Sequence, residues 1–276
     1  MSGINLMLWG YFLKLVLADR CAIYVDTIFN NIPKHNGGSF LIASLLFTFQ
    51  IYGDFAGYSL IAIGAAKIMG FKLMNNFNSP YFSTTITEFW KRWHISLSTW
   101  FRDYLYIPLG GNRVPKVRNY LNIMITFLVS GLWHGASWTF VFWGAIHGII
   151  QCIEKFLGWQ KKQFYGFSKF LHYVFTFVIV CFAWIFFRAS TLNDAFTIIH
   201  GIIYNFGVPY ISHSCLLFSI IAIILLLLKE INDKLHLIRL SSSSYWIIRH
   251  VYIAVIISYI LLFGILNGGQ FIYFQF

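Results

Sequence analysis

The sequence predicts an all-α protein: a polytopic membrane helix bundle with broken or re-entrant helices and an amphipathic helix at the membrane interface. Composition is the first observation behind this prediction. Of the 276 residues, 58% are hydrophobic and only 11% are charged, with a mean hydropathy of +0.69, whereas a soluble domain carries about 25% charged residues. The second observation is a series of apolar runs that approach the roughly 20 residues needed for one membrane crossing. A water-soluble protein and a disordered chain are both excluded.

Charge and cysteine usage narrow the possible partners. The net charge is +11, from 20 Lys and Arg residues against 9 Asp and Glu residues. The cations lie in short loops between apolar runs, where they set the topology and contact anionic lipid headgroups. We therefore expect membrane lipid, and not nucleic acid, as a partner. The four cysteines have no C-x-x-C spacing and lie in or beside apolar stretches, so neither a disulfide framework nor a metal site is expected.

Five apolar stretches are candidate membrane helices. Ile4–Ala18 is short, and Gly10 and Lys14 interrupt it. Phe40–Met69 is long enough to cross with a tilt or a break, and it contains three glycines. The stretches near the length of one crossing are Phe170–Phe187, Ile211–Leu228 and Trp246–Leu266. A loop is expected at Ser241–Ser244.

A further apolar stretch, Tyr120–Gln151, is too long for one crossing and too short for two full ones. Gly131 and Gly135 interrupt it, and His134 lies between them. Basic residues precede and follow this stretch, so a single crossing would place them on opposite faces, against the preference of Lys and Arg for cytoplasmic loops. We therefore expect a bent or re-entrant pair of short helices, with His134 near the turn.

This placement makes His134 a candidate functional residue. Backbone that leaves helical geometry inside a bilayer must be buried in protein or line a wet cavity, because lipid cannot satisfy its N–H and C=O groups. An ionisable side chain at that depth marks a candidate functional site. We expect His134 to face an aqueous or substrate-filled passage.

The segment Thr84–Tyr106 has the pattern of an interfacial helix. Apolar residues recur in it at steps of three and four, which is a helical period, and charged residues and Trp side chains accompany them. The apolar stripe consists of Trp93, Leu97, Trp100 and Tyr104. Pro80 precedes the segment and Pro108 follows it, as expected at helix ends. His94 lies one residue off the stripe and so can point inward.

Several segments resemble one protein family: Asn76–Tyr81, Glu88–Ser98, Phe101–Arg113, Gly131–Trp138 and the ending Phe271–Phe276. Together they resemble the membrane-bound O-acyltransferase family, and within it the alginate O-acetyltransferase membrane proteins of bacteria. The segment Gly131–Trp138 is similar to the catalytic histidine motif of that family. The stretch Asp54–Leu60 departs from the family's D-F-S-G-Y-S-D pattern at Ala56 and Leu60.

The resemblance implies a membrane O-acyltransferase. Such an enzyme transfers an acyl group, here expected to be acetyl, from a thioester donor towards hydroxyls of an exported polysaccharide, as in alginate acetylation. The donor would be acetyl-CoA or an acyl carrier, and no bound cofactor is expected. The resemblance also implies a multi-pass protein of the bacterial inner membrane with a periplasmic acetyltransferase as partner. It further implies one membrane domain over residues 1–276, equivalent to the C-terminal part of the family's plan, with the family's N-terminal spans missing.

Acyl transfer to a hydroxyl needs a base, and an imidazole suits this role because its pKa of about 6.5 lies near working pH. We assign His134 as the general base and His94 as a second residue that lines the passage and holds donor or acceptor; the family resemblance supports both. No G-x-S-x-G elbow or catalytic cysteine is evident, so transfer without a covalent acyl-enzyme is expected. The candidate substrate-binding residues are Arg92, Trp93, Arg102, Trp133 and Asp54.

Other interpretations remain open at this point. The missing spans suggest an inactive or split fragment of such an enzyme. Broken helices with buried polar residues also occur in transporters, although no repeated pair of broken segments is visible. Asp54 can equally form a structural ion pair, and the interfacial cations can contact lipid phosphate instead of a phosphate of the donor.

Overall fold

The computed structural model describes residues 3–235, 245–266 and 271. Within this part of the chain the regular structure is helical and contains no strand, which confirms the all-α prediction. The expected loop at Ser241–Ser244 and residues 272–276 of the ending motif lie outside the described residues. The α-helices, in chain order, are α1 Gly3–Tyr11, α2 Asp19–Phe29, α3 Gly37–Ile68, α4 Ile86–Arg92, α5 Ile95–Phe101, α6 Lys116–His134, α7 Trp138–Phe156, α8 Gly166–Arg188, α9 Leu192–Tyr204, α10 His213–Leu235 and α11 Trp246–Phe263.

The chain divides into two compact units. The first unit comprises Met1–Asn75 and Phe206–Phe276 and contains α1–α3, α10 and α11. The second unit comprises Asn76–Asn205 and contains α4–α9. The single membrane domain expected over residues 1–276 stays a prediction.

Four helices of the described residues are long and apolar enough to cross a membrane, namely α3, α8, α10 and α11. They correspond to the four longest spans predicted from the sequence. No break occurs in α3, which continues through Gly53, Gly57 and Gly64. Large apolar side chains remain exposed along α10 and α11, as expected for helices whose solvent is lipid.

The first 27 described residues form one uninterrupted helical run, because the π-helical segment Phe12–Ala18 joins α1 to α2. The expectation that Gly10 and Lys14 interrupt this stretch is wrong. A Cβ atom on Gly10 would lie 2.7 Å from the carbonyl oxygen of Gly57 on α3. The glycine therefore allows two helices to approach closely, which is how small residues promote helix packing in membranes.

Lys14 is accommodated in this helical run by two carboxylates. Its Nζ atom lies 2.9 Å from Oδ1 of Asp19 and 2.7 Å from Oδ1 of Asp54, and all three residues are buried. Buried charges are stable only when they are paired. The ion pair considered for Asp54 from the sequence is therefore present, and its partner lies 40 residues earlier in the chain.

In the second unit, α6 and α7 form an antiparallel helix hairpin joined by residues 135–137. The two helices approach closely at glycines. A Cβ atom on Gly131 would collide with the carbonyl oxygen of Phe140, and one on Gly144 would collide with the carbonyl oxygen of Phe127. Small residues at these positions are therefore required by the backbone of the opposite helix.

The hairpin confirms the bent pair predicted from the sequence, with His134 as the last residue before the turn. Each helix has 19 residues and is about 28 Å long, so the expectation of short helices is wrong. Both helices extend beyond the apolar stretch into polar flanks, α6 at its start and α7 at its end. Lys155 Nζ donates a hydrogen bond of 2.7 Å to Oδ1 of Asn112, which places the two basic flanks on the same side, as expected.

The single amphipathic helix expected over Thr84–Tyr106 is wrong. This segment consists of α4, α5 and a π-helical continuation at Arg102–Tyr106. The apolar stripe does not share one buried face, since Trp93 is 1% exposed whereas Trp100 and Tyr104 are 51% and 70% exposed.

The break between α4 and α5 lies at Trp93 and His94. His94 has φ +41° and ψ +57°, a left-handed conformation that is uncommon for a residue other than glycine. Asn76 holds the chain here, because its backbone oxygen accepts a 3.0 Å bond from the N–H of Ile95 and its Oδ1 accepts a 3.2 Å bond from the N–H of Ser96. Asn76 lies about 20 residues before Ile95 and Ser96, so the local periodicity of the segment does not indicate the break.

The close approach within the hairpin makes its glycines sensitive to substitution. We expect Gly144→Val to destabilise the protein by about 1–3 kcal/mol or more, because the side chain must displace the backbone of Phe127. Thermal unfolding of the purified protein measures this. Ile149→Val, at an exposed position on the same helix, is the control and should change the unfolding free energy by at most about 0.5 kcal/mol. Equal unfolding temperatures for the two variants would contradict the packing described.

Candidate active site

His134 ends α6 in a surrounding of aromatic rings. The centroid of its imidazole lies 5.0 Å from that of Trp133, 5.2 Å from that of Trp143 and 5.1 Å from that of Phe187. The last two rings approach it edge to face. The imidazole is half-buried, so it is neither packed inside the core nor fully open.

His94 lies in the same site. The imidazoles of His94 and His134 are close enough to interact electrostatically, so a positive charge on one disfavours a positive charge on the other. Burial lowers the pKa of His94 below its ordinary value, which favours the neutral ring at pH 7. Its Nδ1 atom is 3.3 Å from the hydroxyl oxygen of Ser96. Both histidines belong to the second unit.

The helix that precedes His94 is capped at its start. Thr85 is the N-cap, and its hydroxyl oxygen accepts a 3.0 Å bond from the N–H of Glu88. The Glu88 carboxylate in turn accepts bonds of 2.7 and 2.8 Å from the N–H and hydroxyl of Thr84. Its other oxygen pairs with Arg92 at 2.6 Å. These local bonds satisfy part of the start of α4, and the helix ends directly before Trp93 and His94.

The remaining predicted site residues occupy different environments. Trp93 is buried and packs against Trp184, with ring centroids 5.2 Å apart, so it forms a wall of the core beside His94. Trp133 is exposed, and its ring lies beside the imidazole of His134. Arg102 is exposed and pairs with its neighbour Asp103 at 2.7 Å.

Two predicted binding residues are engaged in ion pairs. Arg92 is paired with Glu88 on α4. Asp54 belongs to the first unit and is paired with Lys14. Their assignment to substrate binding stays a prediction.

A cavity of about 440 Å³ lies within the second unit. One part of its wall is apolar and includes Trp90, Ile123 and Phe127, and another part is polar. The cations that line it are Lys91, Arg102 and Lys155, and none of its described lining residues is Asp or Glu. Ser130, four residues before His134 on α6, also lines it. The cavity is therefore suited to an anionic group attached to an apolar or weakly polar arm.

His147, on α7, is a third histidine of the second unit, and it packs inside the core. Its ring is fully enclosed, with centroids 5.1 Å from Trp90 and 5.2 Å from Trp143. Neither ring nitrogen has a hydrogen-bond partner among the described residues. Trp143, His147 and Glu154 are spaced by four and seven residues, which places three polar or aromatic side chains on one buried face of α7. That spacing was available in the sequence.

Comparisons with known proteins point to one family. The model of the membrane-bound O-acyltransferase family matches residues 4–193. Over 206 residues the chain is 45% identical to "Probable alginate O-acetylase AlgI" of Pseudomonas syringae pv. tomato, covering 75% of this chain and 39% of that protein. It is 40% identical over 202 residues to "Peptidoglycan O-acetyltransferase" of Helicobacter pylori, covering 73% and 38%.

A third relative, "Teichoic acid D-alanyltransferase" of Bacillus subtilis, is 31% identical over 210 residues, covering 70% of this chain and 52% of that protein. The chain spans about two-fifths of the length of the alginate and peptidoglycan relatives. Fold and site together define a helical membrane protein with one histidine at the turn of a helix hairpin and a second at the break between two short helices. The chain belongs to the membrane-bound O-acyltransferase family.

The environment of His147 leads to a prediction about stability. His147→Phe should raise the free energy of unfolding by about 1 kcal/mol, because it removes two buried nitrogens without hydrogen-bond partners and keeps the volume of the ring. His147→Ala should instead lower it by roughly 3 kcal/mol through the cavity it creates. Melting temperatures of the two purified variants test this. A loss of stability in the Phe variant as large as that in the Ala variant would overturn the prediction.

Proposed function

We propose that this chain is a membrane O-acyltransferase that moves an acyl group, acetyl in the simplest case, from a thioester donor to a hydroxyl of an exported polysaccharide. The observation that carries the proposal is that His134, at the turn of the helix hairpin, lies close enough to His94 for the two imidazoles to interact electrostatically. The names of two relatives, an alginate O-acetylase and a peptidoglycan O-acetyltransferase, support acetyl as the acyl group and a polysaccharide as the acceptor.

The proposed chemistry needs one base and no covalent acyl-enzyme intermediate. His134 takes the proton of the acceptor hydroxyl while the hydroxyl oxygen attacks the thioester carbonyl carbon. The tetrahedral intermediate then collapses, the carbon–sulfur bond breaks, and the leaving thiolate takes the proton back from the His134 imidazolium. The products are an ester and a free thiol, and the imidazole is neutral again.

His94 is proposed to orient a reactant. When the Ser96 hydroxyl donates to Nδ1 of His94, Nε2 carries the hydrogen and can donate to an oxygen of the donor or acceptor. Such a donor is most effective where charge develops on the carbonyl oxygen in the transition state. Trp133, exposed beside His134, and Trp93, buried beside His94, would form the walls of this passage.

The cavity next to the hairpin is proposed to hold the donor. Lys91, Arg102 and Lys155 line it, and such cations favour the phosphates of coenzyme A or of a carrier-bound phosphopantetheine arm. Arg92 is proposed to contribute through its position at the end of α4, whereas Asp54, which is paired with Lys14 in the first unit, stays a predicted binding residue. No resident cofactor or metal takes part in the proposed reaction.

The proposed location is the bacterial inner membrane, which the protein crosses several times. Four apolar helices of sufficient length and the bacterial origin of the relatives support it. A periplasmic acetyltransferase is the proposed partner, since an acyl group delivered across the membrane needs an acceptor enzyme or an exported polysaccharide on the far side.

Replacement of His134 tests the proposed reaction. Membranes that contain the chain receive acetyl-CoA labelled in the acetyl group, together with alginate, and labelled ester is counted. His134→Gln should reduce transfer by about 10²–10⁴-fold, because it removes the general base, and His94→Gln should cause a smaller loss. His200→Gln, at an exposed position on α9 of the same unit, is the matched control. Transfer that persists in the His134 variant at the level of the control would refute the assignment.

A further inference from the structure

The carboxylate of Glu154 connects the two elements that carry the histidines. Glu154 lies on α7, the second helix of the hairpin that holds His134, and it is buried. Its Oε1 atom accepts a hydrogen bond from the N–H of Ile86, and its Oε2 accepts bonds of 3.0 and 2.9 Å from the N–H and the hydroxyl of Thr87. Ile86 and Thr87 are the first two residues of α4.

These contacts complete the cap of α4 from outside the helix. The first N–H groups of a helix have no partner within it. Thr85 satisfies the N–H of Glu88, and Glu154 satisfies the two N–H groups before it. The negative carboxylate also lies at the positive end of the helix. Glu154 thus stays buried because the start of α4 supplies its hydrogen bonds.

At its other end α4 leads directly into the site. Its last residue is Arg92, and Trp93 and His94 follow. The Trp93 oxygen accepts a 3.1 Å bond from the Ser98 hydroxyl, and the Arg92 oxygen accepts a 3.0 Å bond from the N–H of Asn78. Because α4 has only seven residues, a shift at its start is transmitted to its end and so to the position of His94.

We infer that Glu154 is a positioning residue that fixes His94 relative to His134 by anchoring α4 to the hairpin. The inference rests on the proposed function, since it concerns the geometry of that same site. Glu154 itself touches no substrate. A displacement of about 1 Å between catalytic groups can cost about 100-fold in rate, so a loosened α4 should lower turnover while the hairpin and His134 stay in place.

The test compares Glu154→Gln with Asp194→Asn. Asp194 caps α9 in the same unit, where its carboxylate accepts bonds of 3.1 and 2.8 Å from the N–H and hydroxyl of Thr191. The two substitutions thus remove a similar charge from a helix start, but α9 carries neither histidine. Thr87→Val keeps the N–H bond to Glu154 but removes the hydroxyl contacts to Glu154 and to Gln160, and it is a milder variant should Glu154→Gln fail to fold.

Hydrogen exchange by mass spectrometry on the full purified chain gives the first readout, which needs no activity. Glu154→Gln should speed exchange over residues 86–98 by roughly 10-fold, and Thr87→Val should do so to a smaller extent. Asp194→Asn should speed exchange near residue 194 only. Unchanged exchange over residues 86–98 in both Glu154→Gln and Thr87→Val would overturn the inference, even if the transfer activity itself proves absent.

Kinetics give the second readout. With labelled acetyl-CoA, Glu154→Gln should lower kcat by about 10- to 100-fold and leave KM for the donor within about twofold, whereas Asp194→Asn should change neither. In a His94→Ala background the effect of Glu154→Gln should shrink to less than about threefold, because the residue it positions is gone. A full, independent loss in that background would show that Glu154 acts by another route. Absence of any transfer by the unmodified chain would count against the proposed function and leave the exchange result standing.

Discussion

Polar groups inside this helical protein must find their partners within the protein, because lipid offers neither hydrogen bonds nor counter-charges. In the first unit this requirement is met where Lys14 bridges Asp19 and Asp54. In the second unit it is met where the buried carboxylate of Glu154 accepts the free N–H groups of α4. The same requirement decides where the backbone can leave helical geometry, and so where ionisable side chains can be presented to a substrate.

The site depends on two elements, the α6–α7 hairpin that carries His134 and the broken helical segment that carries His94. The hairpin, whose helices touch at glycines, brings His134 to a turn lined by aromatic rings. The second segment breaks at His94, whose left-handed backbone costs roughly 1–2 kcal/mol and is held by bonds to Asn76 and by the burial of Trp93. Strain of this kind persists only where the surroundings over-determine it. Both backbones are fixed before any substrate binds, which is the preorganisation that the proposed acyl transfer requires.

Part of this architecture could be predicted from local features of the sequence. Length and apolarity predicted the four spans, and the bias of Lys and Arg predicted the bent pair around His134. The break at His94 was missed because the stripe through Trp93, Trp100 and Tyr104 has a helical period. The residue that binds the start of α5 after the break, Asn76, lies about 20 residues earlier in the chain. Lys14 was expected to interrupt the first apolar stretch because its partner Asp54, which allows it to be buried, lies 40 residues later in the chain. The motifs named both histidines, but their proximity depends on tertiary contacts that no local pattern records.

The proximity of His94 and His134 is the claim on which the account depends, and cross-linking measures it directly. Cysteines at positions 94 and 134, in a chain whose four native cysteines are replaced by alanine, are treated with a short bifunctional thiol reagent. A second chain carries cysteines at 94 and 117, since Val117 is exposed near the start of α6, about 25 Å along the helix from His134. The account predicts rapid linkage of the 94–134 pair and little of the 94–117 pair. Equal, slow linkage of both pairs would contradict it.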